Sequence, residues 1–307
     1  MQLVKDLWRP AIVAATIQEI AARGSIAGLP LHWFPDQGPL RYLADPFAIW
    51  RGGRLYVFAE FFDYRDARGR IDLCVFDGRL RFVEQRTVLQ EPWHLSYPYV
   101  FEADGETWML PEAFQSGGLT LYRARAFPFE WEAAGRIDLP QVPLDATPLF
   151  HDGLWWLFYA PAYPERDRLT TLHAAYAERL QGPWRPHACN PVYRAITGAR
   201  PGGTPFVRSG GLVLPIQDAT RSYGSALRFL EVAALTPNRF VDTASAPLVP
   251  PPQLSPFNRG LHTLSAAGEV TLVDVKRGVT SWNSLTMRPQ REWRRLRARM
   301  TGQPRGL

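Results

Sequence analysis

The chain has 307 residues, 46% hydrophobic and 21% charged, which excludes a disordered or fibrous polymer and fits an ordinary folded protein. Trp (11), Tyr (11), Phe (17), Pro (28) and Gly (24) are plentiful, as many short strands joined by tight turns require. The net charge of +6 resides in the last stretch, where Lys276 to Leu307 holds nine basic residues against Glu292 alone, so the remainder is mildly acidic.

At the N-terminus, Lys5, Asp6 and Arg9 interrupt any apolar run, so no signal peptide is expected. No stretch approaches the ~20 apolar residues of a membrane span, and the expected location is the cytoplasm. The run PAIVAATIQEI from Pro10 reads as a short amphipathic helix or as a strand. Cys74 and Cys189 give neither a disulfide framework nor a metal cluster, and two buried free thiols are expected.

Five similar segments follow: LADPFAIWRGGRLYVFAE from Leu43, SYPYVFEADGETWMLPEA from Ser96, DATPLFHDGLWWLFYAP from Asp145, GGTPFVRSGGLVLPIQD from Gly202 and LHTLSAAGEVTLVDVKR from Leu261. Each has an apolar run, a turn and a second apolar run, and the turns Gly52-Gly53, Asp104-Gly105, Asp152-Gly153 and Gly210-Gly211 are hairpin signals. Aligned on Pro46, Pro98, Pro148, Pro205 and Thr263, they recur every 52, 50, 57 and 58 residues. Further strand-like runs follow most hairpins, such as RIDLCVFD from Arg70 and LTLYRARAF from Leu119. Four strands per ~50 residues make one propeller blade. The chain is therefore expected to be all-β, a five-bladed β-propeller with four-stranded antiparallel blades over residues 1–287 and a basic tail over 288–307. The N-terminal run is then favoured as a strand closing the last blade, since an open blade leaves an unpaired edge.

First strands of blades line the axis, so the start of each first strand and the end of each second should converge at one mouth. That alignment gathers Asp45, Tyr97, Thr147, Thr204 and His262 with Glu60, Glu112, Ala160 and Asp218, and the fifth repeat ends at Asp274, Lys276 and Arg277. Asp145, His94, Arg200 and Tyr223 fall beside them. Paired carboxylates suit glycosidic chemistry, where one protonates the leaving oxygen and the other activates water or attacks the anomeric carbon. Crowding raises some of their pKa values, which keeps one protonated. Aromatic faces stack on pyranose rings, so a saccharide is the expected ligand. The six histidines lack metal-ligand spacing, and neither metal, cofactor nor nucleic acid is expected.

The openings ADPF…YVFAE, the GPW at Gly182–Trp184 and the five hairpins resemble the propellers of family 43 glycoside hydrolases. More narrowly, ADPF at Ala44–Phe47 with AEFFDY at Ala59–Tyr64, HLSYPYVFE at His94–Glu102, ARPGGTPFV at Ala199–Val207, QDATRSYG at Gln217–Gly224 and GLHTLSA…LVDVKR at Gly260–Arg277 resemble another family. That is the N-terminal propeller domain of glucosamine inositolphosphorylceramide transferase and its stand-alone bacterial relatives. The hydrolase resemblance implies a base at Asp45, while Tyr97 replaces an orienting Asp and Asp145 stands in for a Glu acid. The narrower one implies work on cell-surface glycans or glycolipids. The expected function is thus glycosyl transfer or glycosidic cleavage, with Asp45, Asp145 and Glu112 catalytic. Glu60, His94, Tyr97, Arg200, Asp218, Tyr223, His262, Lys276 and Arg277 would bind substrate. A non-catalytic saccharide-binding propeller beside a glycosyltransferase is the alternative. Trp293, Leu296, Arg297 and Met300 recur at helical spacing, so the tail is a candidate for peripheral contact with an anionic membrane.

Overall fold

The computed structural model describes residues 4–280, so the basic tail and the membrane contact expected of it lie outside the described residues. Five antiparallel sheets follow one another around an axis. The first blade comprises Arg41–Arg51, Arg54–Asp63, Arg68–Phe76 and Phe82–Leu89. The second comprises Ser96–Ala103, Glu106–Glu112, Leu119–Ala126 and Glu130–Ile137. In the third, Pro143–His151, Leu154–Pro161 and Thr171–Ala177 are joined by Arg185–Pro186, with Tyr193–Arg194 also paired to the third strand. The fourth comprises Phe206–Arg208, Gly211–Asp218, Ala226–Thr236 and Arg239–Ala244.

The fifth blade closes the ring. Its inner strands Gly260–Ala267 and Val270–Thr280 are completed by Val4–Val13 and Leu31–Trp33 from the other end of the chain. Pairing runs without interruption from Val4 opposite Thr280 to Val13 opposite Thr271. The N-terminal apolar run satisfies both of its readings in succession. Its first part is the closing strand, and Ile17–Arg23 then forms a helix, capped by the Thr16 hydroxyl at its start and by left-handed Gly24 at its end. No helix among the described residues is long and apolar enough to cross a membrane.

The hairpin turns explain the repeat. Asp104-Gly105 and Asp152-Gly153 both lie at positive φ, the type I′ geometry whose twist matches that of paired strands. In the fourth hairpin the positive-φ pair is Ser209-Gly210, one residue before the Gly210-Gly211 read from the sequence. Each blade presents an apolar face to both neighbours, so the middle strands read as nearly continuous hydrophobic runs. Leu55, Val57 and Phe61 pack towards the fifth blade, whereas Phe58 packs towards the second. Similar clusters fill the other three junctions. Cys74 is buried in this packing as expected, but Cys189 is exposed.

Where the fourth and fifth blades meet at the axis, only glycine fits. Gly203 has φ +142°, and a Cβ there would stand 1.9 Å from the Leu264 carbonyl oxygen. Gly203→Ala is expected to cost at least about 2–3 kcal/mol in chemical denaturation, from overlap plus backbone strain. Wild-type stability in that variant would mean that this junction relaxes freely.

Candidate functional site

Register locates the mouth of the axis. In four blades the innermost strand carries a two-residue irregularity, after Ala44, Ser96, Leu144 and Leu261. The first bulged residues are Asp45, Tyr97, Asp145 and His262, and the first three have φ between 45° and 50°. Such bulges turn a side chain out of the pleat at the rim of a sheet. Asp145 is therefore the third-blade counterpart of Asp45. The alignment of Thr147 on Pro148 is corrected: the bulge residue after Asp145 is Ala146, and Pro148 lies farther along the strand.

Opposite these bulges, Glu60 pairs with Ala44 and Glu112 with Ser96. Because the fourth turn sits one residue earlier, the matching residue of that blade is Gln217, and a one-residue slip reverses the face. Asp218 accordingly accepts from Arg228 Nε at 2.6 Å and from Thr220 N at 2.9 Å, which hold its carboxyl below the usual range despite burial. It stands in an ion pair with Arg228 rather than in the cluster of the other rim carboxylates.

The residues drawn together form two linked networks. In one, Arg200 Nε donates to Asp145 Oδ2, while its Nη2 donates to Asp145 Oδ1 at 2.7 Å and to Glu112 Oε2 at 3.1 Å. Gln217 Nε2 adds a bond to Asp145 Oδ2 at 2.9 Å. In the other, Asp274 accepts from the backbone N–H groups of Asp45 (2.9 Å), His262 (3.2 Å) and Thr263 (2.9 Å), and pairs with His262 Nδ1 at 2.9 Å. Asp45 accepts from the Thr263 hydroxyl at 2.7 Å and from Tyr97 N at 3.3 Å. Trp8 stacks on His262 with ring centres 3.7 Å apart, and Tyr223 meets that imidazole edge-on at 5.5 Å.

Five carboxylates, those of Asp45, Glu60, Glu112, Asp145 and Asp274, are buried here with Arg200 and His262. Burial pushes Glu112 up to about 7, against the opposing pull of Arg200. It pushes Asp45 up to about 6, against His262. Burial, then the nearby charges of Asp45 and Glu112, raise Glu60 well above its ordinary value. Burial disfavours a charged His262, but Asp274 and Asp45 outweigh it and raise that pKa. His94 lies at Glu60, with Nε2 3.4 Å from Oε1. Its Nδ1 accepts from Gly69 N at 2.8 Å, so the neutral ring carries its proton on Nε2, and burial holds its pKa down to about 4.

A raised carboxyl binds its proton more tightly folded than unfolded, so its stabilising contribution is complete below the unfolded pKa and lost as pH rises through the folded one. Glu112→Gln should therefore gain stability relative to wild type between about pH 5 and about pH 8, by up to about 3 kcal/mol. Melting temperatures of both proteins against pH check this. A pH-independent difference would mean that Glu112 titrates normally.

The side chains of three other expected binders lie outside these two networks. Tyr97 is fully buried, and its hydroxyl is taken by Thr147 Oγ1 at 3.0 Å and by Gly203 N at 2.8 Å, so it plugs the axis beneath the mouth. Lys276 Nζ donates to Asp6 Oδ2 at 2.8 Å, to the Tyr223 carbonyl and to Ser222 Oγ at 3.4 Å, which ties down the loop carrying Tyr223. Arg277, one residue on, faces the other side of its strand over Phe257. Gln217 and Trp8 belong to or flank the networks although sequence reasoning does not select them, and Asp274, placed at the mouth by the fifth repeat but given no role, is central to one of them. For Asp274, strand alternation with Lys276 is the available signal.

Asp45, His262 and Asp274 also bring ligand-type atoms within 4.8 Å of one another. Their lone pairs are engaged by the N–H and O–H donors above, and His262 Nδ1 faces Asp274, so the trio is built for hydrogen bonding rather than for a cation.

Together these features define a five-bladed propeller with a buried carboxylate cluster at the mouth of its axis. The profile of the family "Glucosamine inositolphosphorylceramide transferase 1, N-terminal" matches residues 35–250, and the chain belongs to that family. It is 30% identical over 257 residues to glucosamine inositolphosphorylceramide transferase 1 of Oryza sativa subsp. indica, covering 82% of this chain and 31% of the relative. It is 32% identical over 212 residues to the Arabidopsis thaliana protein of that name, covering 67% and 28%. The chain thus spans about a third of the length of these curated relatives. Among solved structures, it resembles a family 117 glycoside hydrolase of Zobellia galactanivorans (TM-score 0.57, 14% identity, 81% and 89% covered). A β-1,2-mannobiose phosphorylase from Listeria innocua is similar (TM-score 0.56, 10% identity, 79% and 92% covered). Identities this low establish the shared propeller fold alone.

Proposed function

We propose that the mouth of the axis binds and processes a saccharide, in glycosyl transfer or glycosidic cleavage on a glycan or glycolipid. One observation carries the reading: among the described residues Glu60 Oε1 is buried without a hydrogen-bond partner, within a cluster of raised carboxyls, next to the His94 ring. Buried acceptors are normally satisfied, and a hydroxyl-bearing ligand would supply the missing donor. Polyols also accept, which suits Nη1 of Arg200, outside its bonds to Asp145 and Glu112, and the Nε2–H of His94. Tyr223, 40% exposed and edge-on to His262, offers a ring for a sugar to stack on. With Glu112 near 7 and Asp45 near 6, one carboxyl of the cluster keeps its proton while another is ionised, as acid–base work at a glycosidic bond needs. In this reading Glu60, Glu112 and Arg200 touch the sugar, and Asp145, His262 and Asp274 position them. The names of the plant relatives, transferases of an inositolphosphorylceramide, support a setting in glycolipid biosynthesis.

A second reading, non-catalytic saccharide binding, is favoured by a specific observation: both oxygens of Asp45 and both of Asp145 are already hydrogen-bonded. A glycan array followed by turnover assays separates the two. Glu60→Gln should weaken binding about tenfold, as expected for loss of a charge-assisted or buried hydrogen bond. Glu112→Gln should bind but lose turnover under the first reading. Equal turnover by that variant would remove Glu112 from catalysis, binding without turnover by wild type would leave binding alone, and no saccharide bound by wild type would refute both.

A further inference from the structure

A second cleft lies on the other side of the strand that carries Lys276. Open to solvent, it is lined by Trp8, Arg9, Asp36, Arg41, Phe257 and Arg277 among others. Leu7 pairs with Arg277 and Arg9 lies two residues on, so the two arginines are diagonal neighbours on one face of the fifth blade. The Arg277 guanidinium is 5.0 Å from the Phe257 ring, and that of Arg9 is 5.2 Å from Trp33 and 5.9 Å from Phe257. Arg9 Nε donates to the Phe34 carbonyl at 2.9 Å, which fixes its plane. Among the described residues Arg277 Nε is buried with no hydrogen-bond partner. Among the described residues neither arginine makes an ion pair, whereas Arg41 is paired with Asp63 at 3.3 Å. The acid in the lining, Asp36, directs Oδ1 to Gly38 N at 2.7 Å.

Two like charges held as neighbours, with one N–H buried and unused, are unfavourable unless an anion sits between them. A planar guanidinium pair on aromatic rings is the arrangement that receives a phosphate oxygen pair. Trp8 stacks on His262 and lines this cleft too, so the cleft and the carboxylate cluster share a wall.

We propose that Arg9 and Arg277 form a phosphate-ester subsite beside the saccharide site. Resting on the saccharide reading above, it assigns the ligand as a phosphorylated saccharide. The acidic cluster repels an anion and receives the hydroxyls, while the arginine cleft receives the charge.

Calorimetric titration of the full chain with glucose 1-phosphate, uridine diphosphate and methyl glucoside tests this. Glucose 1-phosphate should bind at least about tenfold tighter than methyl glucoside, with a gain that falls as salt rises. Arg277→Gln and Arg9→Gln should each remove most of that gain, and Arg277→Lys should restore part of it because charge returns without the fork. Melting curves report whether each variant is folded. Tighter binding of uridine diphosphate than of glucose 1-phosphate, lost in Arg277→Gln, would support the subsite and assign it to a nucleotide's phosphates. If methyl glucoside binds and phosphate adds nothing, the subsite is refuted and the saccharide reading stands. If the phosphate probes bind through Arg277 while methyl glucoside does not bind, the subsite stands and the saccharide reading falls. Equal phosphate binding by wild type and Arg277→Gln overturns the proposal.

Discussion

Arg200→Ala is expected to cost about 3–5 kcal/mol of folding stability at about pH 8, the penalty for removing one partner of a buried ion network. Arg200 is the cation bonded to both Asp145 and Glu112, and without it two carboxylates stay buried unpaired. The loss should shrink near pH 5, because Glu112, already near 7, then takes up a proton and sheds its charge. Arg200→Lys should rescue little, since an ammonium cannot hold Asp145 through two N–H groups and Glu112 as well. Urea denaturation at the two pH values measures it. A loss under about 1 kcal/mol at pH 8 would show the network to be solvated like a surface pair.

Asp274→Ala should be comparably damaging, at least about 3 kcal/mol, because three backbone N–H groups and the His262 ring lose their acceptor together. Those N–H groups belong to the bulges of the first and fifth blades, so one tether between them goes too, leaving that from Thr263 to Asp45. The His262 pKa should fall, since Asp274 is the foremost of the carboxylates raising it against burial. Asp274→Asn, which keeps one acceptor oxygen, should retain part of the stability. NMR titration of His262 in both variants separates loss of the charge from loss of the hydrogen bonds. An unchanged His262 titration in Asp274→Ala would be incompatible with this geometry.

Turn chemistry and hydrophobic patterning are local, and they make much of the propeller legible. Asp104-Gly105 and Asp152-Gly153 mark their hairpins because both residues accept positive φ. Residue counts from Gly53 and Gly105 bring Glu60 and Glu112 to equivalent rim positions, since a paired strand allows no other register. Counting fails where the chain departs from the simplest form. Ser209 occupies a left-handed position more often given to glycine, so the fourth turn moves by one and Asp218 falls on the wrong face. The third blade lacks a proline directly after its bulge, so alignment on proline sets Asp145 two residues out of line with Asp45.

By itself the sequence determined the five-fold repeat, the hairpins and the gathering of Asp45, Glu60, Glu112, Arg200 and His262 at one mouth, because strand period and turn type are settled within about 20 residues of chain. Only the tertiary structure decided which of those groups are already spent. Lys276 is consumed by Asp6, 270 residues away, and Tyr97 by Gly203, while Glu60 is left with an open acceptor. Ring closure brings these partners together, and hydrogen bonds between distant segments leave no periodic trace in the chain that makes them.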